Sequence, residues 1–278
     1  MTTLTLLGLQ PERAVIERIA AAAGATRIEA LGVNAFRCAG ASADAKAEVA
    51  TLCAEQNLDH AFLPDNHVRD IKLIAMDMDS TLITIECIDE IADMQGLKKE
   101  VSAITEAAMR GEIAFPESLA RRVALLKGLD ASALQRVYDE RLQLSPGAEA
   151  MLAAVRAAGI QTLLVSGGFT FFTDRLKTRL QLDYTHANLL EVDGGKLTGK
   201  VVGTVVDAEE KRNRLLAVCA ELGILPSQAI AMGDGANDLR MMDAAGLSVA
   251  FRAKPAVQAK ADVALNVVGL DGALAFLK

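Results

Sequence analysis

Leu73-Ile74-Ala75-Met76-Asp77-Met78-Asp79-Ser80-Thr81-Leu82 decides how this chain folds. Its first four residues form a short, wholly apolar strand, the kind that lies in a parallel sheet with both faces covered by helices. The strand runs directly into two carboxylates spaced i, i+2, which point to the same side of extended backbone. Side by side they repel, so both ionise only when a cation intervenes. A metal beside one leaves the other free to hold a proton, a division that suits a nucleophile and a general acid. A calcium loop is the competing reading. It fails because the third acidic position, the central Gly and the terminal Glu are missing from the required spacing.

The same apolar-to-polar step recurs downstream. QTLLVS (161–166) ends in Ser166 and AIAMGD (229–234) ends in Asp234, while LSVAF (247–251) and DVAL (262–265) add further apolar strands. Ligands of open parallel sheets bind at the carboxyl ends of the strands, so this pattern gathers Asp77, Ser166 and Asp234 at one rim. Any one of them alone reads as an ordinary loop residue.

Gly233-Asp234-Gly235-Ala236-Asn237-Asp238 supplies small residues that let backbone approach a ligand. It also supplies hard oxygen donors that suit magnesium better than zinc, and a helix is expected to begin near Ala236. Ser166-Gly167-Gly168 precedes a helical FTFFTDRLKTRL and fits either a phosphate cradle or a helix N-cap. Lys211, in the charged helical segment DAEEKRNRLLAV, reads by itself as a solvated lysine.

Between Glu86 and about Arg141 lie four helical patterns broken by Gly96, Gly111 and Gly128, closed by Pro146-Gly147. LLEVDGGKLTGKVVG (189–203) reads as a β-hairpin turning at Asp193-Gly194. The N-terminal stretch has the order βαββαβ, a ferredoxin-like arrangement, with a linker at Pro64-Asp65-Asn66. The expected architecture is α/β. A doubly wound parallel-sheet core (71–84 and 145–278) carries a helical cap insert (85–144) and follows a small N-terminal domain (1–70).

Composition narrows the function. The formal net charge of −7 disfavours nucleic acid and anionic membrane as partners. A phosphorylated substrate is repelled as well, so any anion site must be built locally. Cys38, Cys53, Cys87 and Cys219 lie far apart without a CxxC pair and read as reduced thiols. The start MTTLTLLGLQPERA lacks the features of a signal peptide, so a cytoplasmic location is expected. GGKLTGK (194–200) begins like a P-loop, but Val201 replaces the needed Ser/Thr and the stretch lies in a hairpin. His60, His67 and His186 do not cluster and receive no catalytic role.

DMDST (77–81), VSGG (165–168), Lys211 and GDGAND (233–238), in that order, resemble the haloacid dehalogenase-like superfamily. Glu86 in ECIDEIA, AMRGEIAF (108–115) and Arg122 in SLARRVALLKGL resemble its phosphoserine-hydrolysing branch. The resemblance spans about residue 72 to the C-terminus. It implies a cap over the core and a magnesium-dependent phosphatase for a small phosphorylated amino acid, phosphoserine by preference, serving the last step of serine biosynthesis.

Carried onto this chain, the resemblance makes Asp77 the nucleophile that forms an aspartyl-phosphate. Asp79 protonates the leaving oxygen and then activates water. Mg2+ sits on the Asp77 carboxylate, the Asp79 backbone carbonyl and Asp234, with Asp238 supporting these ligands from behind. Lys211, Ser166, Gly167 and Asn237 bind the phosphate oxygens. Glu86 takes the substrate ammonium and Arg122 its carboxylate, while Phe115 and Met109 wall the pocket.

The N-terminal domain resembles ACT-like domains by topology, which implies amino-acid binding or pairing into a homodimer. Three alternatives stay open: a phosphotransferase, a phosphatase for another small metabolite, and a non-catalytic phospho-aspartate receiver or amino-acid sensor.

Overall fold

The computed structural model describes residues 2–64, 70–110 and 112–277. Asp65 and Asn66 of the expected linker, together with His67 and Gly111, lie outside the described residues.

The N-terminal unit consists of β1 (Thr2–Leu7), α1 (Arg13–Ala22), β2 (Arg27–Ala30), β3 (Ala35–Ala41), α2 (Lys46–Glu55) and β4 (Asp59–Pro64). Its strands form an antiparallel sheet in the order β2-β3-β1-β4. Strand alternation divides the side chains between two cores. Leu4 and Leu6 pack with Ile16, Ile19 and Val49 under the two helices. Leu7, Ala61 and Leu63 join the core of the rest of the molecule. The buried Asp59 carboxylate seals this junction, accepting hydrogen bonds from the backbone N–H groups of Asn266, Val267 and Val268 at 2.8, 2.9 and 3.0 Å.

The chain continues through β5 (Leu73–Met76), α3 (Cys87–Asp93), α4 (Lys98–Met109), α5 (Phe115–Leu125), α6 (Ser132–Glu140) and α7 (Ala148–Ala157). It then forms β6 (Gln161–Phe169), α8 (Thr170–Leu180), β7 (Tyr184–Asp193), β8 (Lys196–Val202) and α9 (Ala208–Leu222). Last come β9 (Ala229–Gly233), α10 (Leu239–Ala244), β10 (Leu247–Phe251), α11 (Pro255–Gln258) and β11 (Val263–Leu265).

Among the described residues these strands build one sheet, β11-β10-β9-β5-β6-β7-β8. It is parallel except for β8, which pairs antiparallel with β7. β5 is buried at every position. Its Leu73 and Ala75 pack with Leu215 and Val218 of α9, and its Ile74 and Met76 with Met151 of α7 and Leu176 of α8. Burying such a side chain stabilises by about 1.5–3 kcal/mol, which holds this strand at the centre of the sheet. The insert helices α3–α6 contribute Ile91, Val101, Leu119, Val123 and Val137 to the same core.

Three local features differ from the sequence reading. β7 begins at Tyr184, and its first half pairs parallel with β6 before its second half forms the hairpin with β8. The polar YTHAN stretch carries no strand pattern of its own; its neighbour sets its register. The hairpin turns through Gly194-Gly195, both at positive φ (55° and 78°), as a tight two-residue hairpin loop requires. The helix expected near Ala236 is one 3₁₀ turn (Ala236–Asp238) leading into the six-residue α10.

Among the described residues no helix is long and apolar enough to cross a membrane. All four cysteines are buried free thiols.

Candidate active site

Three neighbouring strands bring the site together. Met76 of β5 stands opposite both Met232 of β9 and Leu164 of β6, so Asp77, Asp234 and Ser166 emerge at one rim. The Asp77 N–H extends the pairing by one rung, donating to the Met232 carbonyl at 3.0 Å. Beyond it Met78–Leu82 form a wide turn with Ser80 at φ 55°, which keeps both aspartates of the motif at the strand end. Asp77 Oδ1 accepts from the Met78 N–H at 2.7 Å and from Lys211 Nζ at 2.7 Å. Among the described residues Oδ2 receives no hydrogen bond, which leaves it free as an attacking or metal-ligating oxygen.

Lys211 is the feature furthest from its appearance in the sequence. It lies in the first turn of α9, a helix capped by Asp207, whose carboxylate accepts from the N–H groups of Glu209 and Glu210. Far from being solvated, it is 0% exposed. Its ammonium bridges Asp77 Oδ1 and Asp238 Oδ1, each at 2.7 Å. Asp238 also accepts from the Gly235 N–H at 3.0 Å. Its carboxyl rests against Gly233, where an added Cβ would come within 2.4 Å of it. That contact accounts for the glycine. Asn237 stands in the same loop with its Oδ1 against Gly235; among the described residues no hydrogen bond joins it to Lys211 or Ser166.

Carboxylate oxygens of Asp77, Asp234 and Asp238 lie within 4.8 Å of one another. One ammonium offsets one of three negative charges, so two remain in a largely buried site. A single dication with a preference for hard oxygen donors fits this set in charge and chemistry. The electrostatics reflect the crowding. Burial, then the neighbouring Asp238 and Asp234, push the Asp77 carboxyl well above its ordinary range, against the pull of Lys211. Burial, Asp238 and Glu86 push Asp234 up to about 7. Burial opposes the charge on Lys211, but Asp238 and Asp77 outweigh it and hold the ammonium above its usual value.

Asp79 does not belong to the three-carboxylate group. Its Oδ1 accepts from the Cys87 N–H at 3.2 Å. Its Oδ2 sits against Gly168, where an added Cβ would lie 2.8 Å from it. Burial and the charge of Glu86 push it up to about 7, with the Cys87 N–H pulling the other way. Asp79 thus stands between the Ser166–Gly168 loop and the insert, poised to hold a proton near neutral pH.

Ser166 is no helix N-cap. It lies inside β6, Phe169 occupies the cap position of α8, and Ser166 Oγ accepts from the Gly168 N–H at 2.8 Å. Phe115, at the start of α5, reaches the same loop: an added Cβ on Gly167 would meet its Cζ at 3.0 Å. Met109's side chain lies outside the described residues.

Two charged groups of the insert face the rim. Glu86 accepts from the Ser80 hydroxyl at 2.7 Å. Its carboxyl is raised by burial and by Asp89, with Ser80, Arg122 and Lys211 opposing. Arg122 is buried in α5, with Nε 3.4 Å from the Ser118 carbonyl. Burial lowers its pKa while Asp89, Glu86 and Asp79 favour its charge.

Sequence reasoning passed over two residues that touch this machinery. Thr81, fully buried, donates to Asp234 Oδ1 at 3.2 Å; its signal was its place inside the Asp77–Thr81 motif. Asn188, also buried, donates to the Gly167 carbonyl, and its surroundings in β7 carry no motif.

Residues 74–243 match the family model for haloacid dehalogenase-like hydrolases. The chain is 59% identical over 220 residues to a phosphoserine phosphatase from Polaromonas sp. strain JS666, covering 77% of this chain and 93% of that one. It superposes with TM-score 0.85 and 39% identity on an unliganded probable phosphoserine phosphatase from Vibrio cholerae, over 99% of this chain and 86% of the other. It also superposes, with TM-score 0.71 and 40% identity, on a phospho-aspartyl intermediate analogue of phosphoserine phosphatase, over 76% of this chain and all of the other.

Proposed function

The chain belongs to the haloacid dehalogenase-like hydrolase family, and we propose that it hydrolyses O-phospho-L-serine to serine and phosphate through an aspartyl-phosphate at Asp77. The observation that carries the reading is the buried Lys211 ammonium held at 2.7 Å by both Asp77 and Asp238, at the meeting point of three parallel strand ends.

Lys211 keeps one oxygen of Asp77 in place while Oδ2 attacks phosphorus. Phosphoryl transfer is chiefly positioning and charge stabilisation. The Lys211 ammonium, the Ser166 hydroxyl, the Gly167 N–H and Asn237 supply donors to the phosphoryl oxygens. Asp79, raised to about 7, gives its proton to the departing serine oxygen. As a carboxylate it then takes a proton from the water that attacks the aspartyl-phosphate, releasing phosphate and restoring both aspartates.

Asp77, Asp234 and the Asp79 carbonyl, with Asp238 behind them, are the groups that would hold Mg2+. The ion supplies positive charge to the phosphoryl group and to the two carboxylate charges that Lys211 leaves unbalanced. At the other end of the substrate, Glu86 meets the ammonium and Arg122 the carboxylate, which the planar guanidinium fork suits. Four buried thiols fit a reducing cytoplasm. Pairing of two chains through the N-terminal unit is part of the same proposal; light scattering that shows a monomer refutes it.

The test is release of inorganic phosphate from phosphoserine with Mg2+ and with chelator, alongside phosphoethanolamine and an aryl phosphate. Turnover highest on phosphoserine and abolished by chelator is expected. No release above the buffer rate overturns the reading, and transfer to added alcohols instead of water makes the chain a phosphotransferase.

A further inference from the structure

β6 and β7 pair in parallel with Val165 opposite His186, and meet again with Phe169 opposite Asn188. Between those rungs β6 inserts Ser166, Gly167 and Gly168, where β7 has Ala187 alone. The phosphate-facing loop is therefore a bulge in a strand, and its backbone groups have lost their ladder partners. A carbonyl displaced from a ladder and shielded from water needs another donor. The Gly167 carbonyl finds one in the Asn188 side chain, whose Nδ2 donates to it at 2.8 Å. Asn188 is 1% exposed. The other end of its amide, Oδ1, accepts from the Val206 N–H at 2.9 Å. Val206 directly precedes Asp207, the cap of the helix that carries Lys211.

Peptide planarity passes this anchoring on. The Gly167 carbonyl and the Gly168 N–H belong to one plane and point in opposite directions, and that N–H donates to Ser166 Oγ at 2.8 Å. With a lone pair of Oγ so occupied, the hydroxyl hydrogen turns elsewhere. Among the described residues it has no acceptor, so it is available to a phosphoryl oxygen.

We propose that Asn188 is a positioning residue of the reaction. By holding the Gly167 peptide plane it aims the Ser166 hydroxyl, and by gripping Val206 it sets that hydroxyl at a fixed distance from the helix bearing Lys211. One buried amide thereby registers two phosphate donors against each other. The inference rests on the phosphatase reading above, at the phosphate end of the substrate and not the serine end.

Asn188→Asp is the sharpest perturbation. It keeps the size and the acceptor for Val206, but sets a carboxylate oxygen against the Gly167 carbonyl. The kcat for phosphoserine and for an aryl phosphate should fall alike, by about 10- to 100-fold, with KM changed much less. The decisive measurement is a double-mutant cycle with Ser166→Ala. If Asn188 acts through that hydroxyl, its substitution costs less than about 3-fold once the hydroxyl is gone. A loss of undiminished size in the Ser166→Ala background makes Asn188 merely structural and overturns the proposal. So does an Asn188→Asp enzyme within about 2-fold of wild type. Should Asn188→Asp fail to fold, Asn188→Ser carries the same cycle, with circular dichroism and melting as the check. A wild-type protein that hydrolyses the aryl phosphate but not phosphoserine refutes the substrate reading alone, and the cycle is then completed on the aryl phosphate.

Discussion

Lys211→Met removes the ammonium buried among three carboxylates while nearly preserving side-chain length, so the change is one of charge and not of packing. In the native arrangement Nζ lies 2.7 Å from both Asp77 and Asp238, with Asp234 in the same oxygen cluster. Withdrawing one partner from a buried ion pair costs about 3–5 kcal/mol, because the remaining charge is stranded away from water. In a chain of this size each kcal/mol moves the melting temperature by about 2–4 °C. The metal-free variant should therefore melt about 6–20 °C below wild type at pH 8.

The pH dependence has a definite sign. Burial and mutual repulsion already raise Asp77, and Asp234 to about 7, and loss of the lysine raises them further. A carboxyl whose folded pKa is raised takes up a proton more readily in the folded than in the unfolded chain. Its contribution to stability is present at low pH and lost as pH rises through the folded value. The gap between variant and wild type should therefore shrink as pH falls from 8 toward 5.

Melting followed by circular dichroism in chelator at several pH values, repeated with Mg2+, measures the gap. Added Mg2+ should narrow it without closing it, and kcat/KM should fall by about 10²- to 10³-fold. Equal melting temperatures at pH 8 without metal, or a gap indifferent to pH, would falsify the charge balance described for this cluster.

Further outcomes are expected elsewhere in the site. Asp77→Asn should reduce phosphate release by about 10³-fold or more with an unchanged circular dichroism spectrum, and near-wild-type turnover removes Asp77 as nucleophile. Arg122→Ala and Glu86→Ala should each weaken kcat/KM on phosphoserine by about 30-fold more than on an aryl phosphate; equal losses on both mean that neither residue reads the amino-acid end. Gly168→Ala places a methyl group 2.8 Å from Asp79 Oδ2 and from Met78 Cε, so it should lower kcat by about 100-fold or more through misplacement of the acid and the loop. The control Gly24→Ala, with open space around it but φ at +67°, should cost about 1 kcal/mol of stability and leave kcat alone.

Much of the fold is legible because its signals are local. The apolar run Leu73–Met76, the helical patterns between Glu86 and Arg141, and the glycine punctuation all act over a few residues, the range over which strand and helix periodicity is written. Where a segment lacks such a signal, reading fails. The first half of β7 is polar and takes its strand form from β6. Ser166 followed by a helical stretch looks like a cap, yet the strand runs on through a bulge to Phe169. No local pattern marks Arg122 as enclosed, yet it is buried against Ser118 with the carboxylates of Glu86 and Asp89 acting on it.

The linear order of residues is enough to pick out the candidate reacting groups. Paired aspartates at the end of one apolar strand, and a Gly-Asp-Gly turn at the end of another, specify oxygen chemistry at the rim of a parallel sheet, because short spacings fix which side chains share a side. Packing, by contrast, sets the charge and accessibility of those groups. Lys211 is one more lysine in a charged helix until β5, β9 and α9 enclose it. Asn188 is featureless until a bulge in the next strand leaves a carbonyl in need of a donor. Coulombic and hydrogen-bonding energies depend on separation through space and on exclusion of water, and neither is recorded in the linear order of residues.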